Sequence, residues 1–269
     1  MKKYALTFLF FLFSFSAFAQ NFDSSFVSSV GIPTTAKEQL LNQENEILML
    51  LFDGIEITTK HQENEVKWKP NFYENKQPVT SDDDFAYTQL DSIFFYQEGN
   101  TKKAVIIFAT YVYENNRVIN FHFYGAYVSV ATFEYDEKLK KWQTNNFDKF
   151  YGMHGVNGWL HPISLKQIGK EKFALFFYSG FTHMGEDHSW TTIYDLSKCE
   201  KLKTIYTFYD YLYFSEEDKD KKIDKDIEFD ATQINNYKYY DLIITTKKKN
   251  STKVEVFEYQ NLEGYVLKE

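Results

Sequence analysis

The sequence predicts a mainly β protein of antiparallel β-meander units, propeller-like or stacked-sheet, with one short N-terminal helix. Three observations predict it. Phe and Tyr number 27 and 21, and aromatics make up 19% of the chain. These residues, with Ile, Val and Thr, suit a pleated, half-buried surface. Short runs alternate apolar and polar residues, as in Lys253-Val254-Glu255-Val256 and Ile119-Asn120-Phe121-His122-Phe123, which is strand periodicity. Continuous apolar runs at 104–109 (AVIIFA) and 173–178 (FALFFY) fit strands covered on both faces.

The first element is not part of the fold. Lys2 and Lys3 precede an apolar stretch from Leu6 to Phe15, and Ala17-Phe18-Ala19 precedes Gln20. A basic start, a short apolar centre and a small-x-small site are the parts of a secretory signal peptide. Residues 1–19 are therefore expected to be removed near Ala19, leaving 20–269 as one β-rich domain in the periplasm or outside the cell. The apolar stretch is shorter than the roughly 20 residues needed to span a bilayer, so no membrane span is expected. No cysteine stands at the cleavage site, so no lipid anchor is expected either.

Residues 20–35 read as a loose lead-in. Thr35-Ala36-Lys37-Glu38 has the capping-box pattern. Leu40, Leu41, Ile47, Leu48 and Leu51 follow near one helical face, which predicts a helix over about 36–51. Asp53-Gly54 marks a turn, Ile55 to Thr58 a short strand, and the polar stretch from Lys60 to Asp84 a loop. From about Asp91 the text is strands and turns. Ile163, Ile168, Phe173, Phe176 and Phe177 are echoed by Phe229, Ile234, Tyr239, Leu242 and Ile243. With Ala104 opening a similar run, this suggests three degenerate meander units.

Charge narrows the partners. The formal net charge is −8, or −10 once Lys2 and Lys3 are removed, and Arg117 is the lone arginine. Arginine is the usual bidentate clamp on phosphate. An acidic chain without an arginine cluster argues against nucleic acid. The single cysteine, Cys199, excludes an internal disulfide. Lys198 beside it would lower its pKa slightly, but a lone thiol after a strand is more often incidental.

No G-x-S-x-G elbow, P-loop, H-E-x-x-H or C-x-x-C occurs. The richest stretch runs from Gly152 to Trp190, with His154, His161, His183 and His188 and six of the eleven glycines. It reads as two long loops, 152–162 and 180–190. His183, Glu186, Asp187 and His188, with His154 and His161 nearby, form an adequate ligand set for zinc or another divalent ion. The bland alternative is a glycine-rich loop with solvated histidines. Tyr151, Trp159, Phe181 and Trp190 lie in the same segments and suit a partner surface, or else they plug the ends of the core. His61 and His122 stand alone and read as surface or structural. Asp218, Asp220, Asp224 and Asp226 resemble a calcium loop, but Lys222 and Ile223 take a ligand place and the glycine place. That segment reads as a solvated charged loop.

These features favour a non-enzymatic binding protein of the cell envelope with a protein partner, such as a periplasmic inhibitor or immunity-type protein. A metal-dependent hydrolase on the histidine loops and a carbohydrate-binding module are the alternatives. No cofactor is required unless the histidines hold a divalent metal.

Overall fold

A computed structural model describes residues 32–70, 83–118, 125–183, 186–211, 222–261 and 263–268. The protein is mainly β, with antiparallel sheets that do not close into a barrel. The signal-like segment 1–19, the Ile119–Phe123 alternation with His122, and Asp218 and Asp220 lie outside these residues. No helix among the described residues is long and apolar enough to cross a membrane.

The N-terminal helix is two helices, α1 (Thr34–Leu41) and α2 (Glu44–Phe52). The capping box does not form. Thr35 is already inside α1, Pro33 occupies the cap with φ −59°, and no side chain caps the end. Proline supplies the helical φ in advance and has no N–H to satisfy. The break at Asn42–Gln43 keeps Ala36, Leu40, Leu48 and Phe52 on the buried side. α2 carries Glu44 and Glu46 in its first turn, where a carboxylate opposes the positive end of the helix dipole. It ends at Asp53 in the left-handed conformation, followed by Gly54. A Cβ on Gly54 would stand 2.4 Å from the Val66 side chain, so only glycine lets the next strand approach.

Two sheets follow. The first has the order β1 (Glu56–Thr58), β2 (Glu65–Trp68), β3 (Ala86–Glu98), β4 (Thr101–Tyr111), β7 (Ala126–Asp136), β8 (Lys141–His154). A small hairpin, β5 (Tyr113–Glu114) and β6 (Arg117–Val118), leaves it between β4 and β7. The supposed loop from Lys60 to Asp84 thus contains a strand. In β2, Val66 and Trp68 are buried, and so is Glu65, whose charge disguises the strand. Its carboxylate accepts from the Tyr113 hydroxyl at 2.8 Å and the His61 backbone N–H at 3.2 Å.

The second sheet runs in sequence order: β9 (Ser164–Gly169), β10 (Lys172–His183), β11 (Glu186–Asp195), β12 (Glu200–Tyr211), β13 (Ile223–Ile234), β14 (Tyr240–Lys248), β15 (Ser251–Gln260) and β16 (Gly264–Leu267). Asp224 and Asp226 lie in β13, so part of the expected charged loop is strand. Among the described residues β12 and β13 share only two pairs, Phe208↔Asp224 and Tyr209↔Ile223. Beyond that seam the last four strands fold back over the outer face of β9–β12. Ala174, Phe176, Ile193 and Ile205 from one side meet Leu242, Ile244, Tyr259 and Tyr265 from the other. The inner face of β9–β11, with Leu175, Phe177 and Tyr194, packs on Val105, Ile107, Val128 and Val130 of the first sheet. The helices cover the first sheet's remaining face through Leu40, Leu48 and Phe52. Four layers therefore stack along one direction, with three apolar interfaces between them.

Candidate functional site

The glycine- and histidine-rich segment is part loop and part strand: residues 155–163 connect β8 to β9, whereas the described residues of 180–190 are strand. Tyr151 to His154 ends β8, and Phe181 to Trp190 is the tip of the β10–β11 hairpin. His183 pairs with Glu186, Phe181 with His188 and Ser179 with Trp190. Paired residues share a face, so Phe181, His183, Glu186, His188 and Trp190 lie on one side of the tip. β12 continues the row: His188 pairs with Tyr209 and Trp190 with Tyr206. A register shift at Ser189/Trp190 leaves Thr207 as an extra residue. That bulge puts Tyr206 and Tyr209 on the same face despite their odd spacing.

Rings join this row into a strip. Phe181 stacks on His188 at 4.7 Å with planes 18° apart, and Trp190 meets Phe181 edge-on at 6.0 Å. Tyr209 meets His188 at 5.1 Å. The imidazole is held at both nitrogens, Nδ1 2.5 Å from the Tyr206 hydroxyl and Nε2 3.0 Å from Glu186 Oε2. The Tyr209 hydroxyl donates to the other oxygen of Glu186 at 3.4 Å. Tyr206 is 37% exposed, and the side chains of His188 and Glu186 are 20% and 39% exposed. Phe181 and Trp190 are half-buried and belong to none of the apolar clusters among the described residues. Aromatic area therefore faces outward at the tip, with a fixed hydrogen-bonding centre between the rings.

The remaining expected site residues scatter. His154 is buried between the two sheets. It stacks on Tyr151 and Phe177, and its Nδ1 lies 3.2 Å from the Ser179 hydroxyl. Burial, with Lys201 adding to it, pushes its imidazole down to about 4. The next residue, Gly155, donates its N–H to the Tyr178 carbonyl at 3.1 Å, tying β8 to the edge of β10. A Cβ at Gly155 would lie 1.9 Å from the Trp159 carbonyl oxygen, and φ there is +103°, so glycine is required. Tyr151 packs against the core between the sheets, and its hydroxyl has no hydrogen-bond partner among the described residues. Trp159 is 47% exposed and lies on Tyr111 at 5.3 Å, away from the strip. His161 rests edge-on against Tyr178, on the opposite side of the sheet, and burial lowers its pKa. Asp187 accepts from Thr182 on that side too.

The metal set does not assemble. Glu186 and His188 touch, His183 forms no ion pair with Glu186 or Asp187, and His154 and His161 are elsewhere. Among the described residues no group of three His, Cys, Asp or Glu is placed to hold a metal ion.

Two further sites had no local signal. His61, read as surface or structural, has a buried side chain. It stacks on Tyr113 at 3.7 Å, meets Tyr87 edge-on, and has Nδ1 3.4 Å from Glu65. Above it Lys60 bridges Asp83 at 2.8 Å and lies 3.2 Å from the Tyr87 hydroxyl. Hydrogen bonds to Asp83 from Lys60, the Tyr87 hydroxyl and the Phe85 N–H, outweighing partial burial, bring its carboxyl down to about 2. The cluster pins the β1–β2 turn to β3 and β5. Cys199 donates weakly to the Leu196 carbonyl at 3.6 Å. Its thiol is pushed up, first by burial and then by Asp148 and Asp195. Lys198 does not lower it, because its ammonium is engaged by Tyr259 and Glu200.

No family model matches the chain, and no curated protein matches its sequence.

Proposed function

We propose that this is a non-enzymatic binding protein, exported after loss of residues 1–19, that engages a protein partner through the aromatic strip of β10–β12. The observation that carries the reading is the set Phe181, His188, Trp190, Tyr206 and Tyr209 on one open face of three paired strands. Tyr and Trp are enriched among residues that dominate binding energy, because large rigid rings lose little entropy on contact. Paired strands hold these rings in place before any partner arrives, which lowers the ordering penalty of association. Glu186 and the acidic net charge favour a partner with a basic contact surface. His188 has both nitrogens hydrogen-bonded within the strip, which fixes the orientation of its ring.

The test is affinity capture from envelope extract, followed by titration of the purified captured protein by calorimetry. The double variant Trp190→Ala/Tyr209→Ala is expected to weaken binding by roughly 30-fold or more, since central aromatic contacts are worth about 2 kcal/mol or more. Unchanged affinity in that variant would remove the strip from the interface. A glycan-array signal that the same variant abolishes would move the reading to a carbohydrate ligand.

A further inference from the structure

On the face of β9–β12 opposite the strip, the second sheet parts. Beyond the two pairs at the seam, β12 continues with β11 alone and β13 with β14 alone among the described residues. A groove of about 800 Å³ opens where they diverge. Its floor is formed by Lys166, Phe176, Tyr178, Thr191 and Thr207, and its wall is β13 from Asp224 to Glu228. One long margin of the groove is therefore the free edge of a strand. Such an edge presents unpaired backbone N–H and C=O groups, which template the addition of another strand.

The wall alternates. Lys225 and Ile227 are half-buried, and Ile227 joins the apolar cluster beneath. Asp224, Asp226 and Glu228 are exposed. Asp226 is bridged to Lys247, whereas Asp224 and Glu228 have no ion pair among the described residues. A strand laid beside β13 would set alternate side chains against these carboxylates and the others over Phe176 and Tyr178. Opposite charges across neighbouring strands stabilise by about 0.2–1 kcal/mol per pair, and like charges oppose pairing. A second copy pairing edge to edge would bring acid against acid.

We propose that the β13 edge is a second binding site, which takes an extended segment of another protein as an added strand. The segment carries Lys or Arg at alternate positions and apolar or hydroxyl residues between them. The site lies on the other side of the sheet from the aromatic strip and does not depend on it.

The experiment uses a short synthetic peptide alternating lysine with valine and threonine, and a control peptide with glutamate for lysine. Binding is followed by fluorescence anisotropy, and backbone protection by hydrogen exchange with mass spectrometry. The lysine peptide is expected to bind and to slow exchange at residues 225–228. Asp224→Lys/Asp226→Lys/Glu228→Lys should weaken it by about tenfold or more and should admit the glutamate peptide. Glu38→Lys/Glu46→Lys/Glu114→Lys makes the same net-charge change on other exposed surfaces and should leave binding intact. Equal loss in both triple variants would reduce the effect to net charge and overturn the site. Absence of binding to the unaltered protein, or binding without protection at 225–228, would overturn it too. If the first triple variant fails to fold, exchange protection and the lysine–glutamate contrast on the unaltered protein decide the question.

Discussion

One face of the β10–β11 hairpin passes through two environments. In its lower half, Leu175, Phe177 and Tyr194 are sealed against the first sheet. In its upper half, Phe181, His188 and Trp190 continue the same face and the same register but face outward. Side-chain chemistry hardly distinguishes the two halves, since both are aromatic. The difference is how far the opposing sheet reaches. β8 ends at His154, which bonds to Ser179, and among the described residues no strand of the first sheet joins the apolar cluster beyond that point. A sealed core and an outward-facing aromatic strip can thus be one stripe, divided where the described part of a neighbouring strand ends.

The sharpest way to break this comparison is a pair of truncations. Phe177→Ala should destabilise by about 3–5 kcal/mol, as deletion of a sealed aromatic ring does. Phe181→Ala should lower stability by about 1 kcal/mol or less, because little apolar burial is lost. Urea unfolding of the two variants measures both values. Equal losses would make the strip core and deny it a binding role.

The boundary itself is expected to respond to acid. The His154 imidazole is held neutral to about pH 4 in the folded chain, against an ordinary value near 6.5. Between those values the unfolded chain binds a proton that the folded chain refuses, so stability falls as pH drops from about 6.5 towards 4. Fully developed, the loss is on the order of 3 kcal/mol, at 1.36 kcal/mol per pKa unit. Melting curves of His154→Phe should show a shallower decline over this window. An unchanged slope would mean that other groups carry the acid sensitivity.

The smallest expected effect concerns Cys199. Burial keeps its thiol protonated at neutral pH, and the thiolate is the reactive form. Alkylation by iodoacetamide should run at least several-fold slower in the native protein than in urea. Equal rates would place the thiol in open solvent.

Aromatic content and strand alternation made the fold class legible. The apolar runs at 104–109 and 173–178 are the centres of β4 and β10. The tip of the hairpin was hidden because its strand period is carried by histidines and one glutamate, which read as polar loop. Phe181, His183, Glu186, His188 and Trp190 do fall on a single face once the turn is placed between His183 and Glu186. Tyr206 and Tyr209 were invisible for a different reason. A bulge reverses the parity between them, and bulges leave no mark in composition. His61 was read as isolated because its partners lie far along the chain, with Tyr113 on another strand. Glu65 hid β2 by being a charged residue at a fully buried position. Such a position is tolerated because two donors satisfy the carboxylate.

The sequential order of the strands bears on how quickly the chain can find this arrangement. From β8 onward each strand pairs with its immediate predecessor except β9, which opens the second sheet, and β7 pairs with β4 across the β5–β6 excursion. Each closure therefore spans a short stretch of chain, and loop-closure entropy rises with the length spanned. For an all-β protein this topology favours rapid folding by successive hairpins. The slowest step is expected to be docking of the last four strands across the two-pair seam, where little backbone pairing guides the approach.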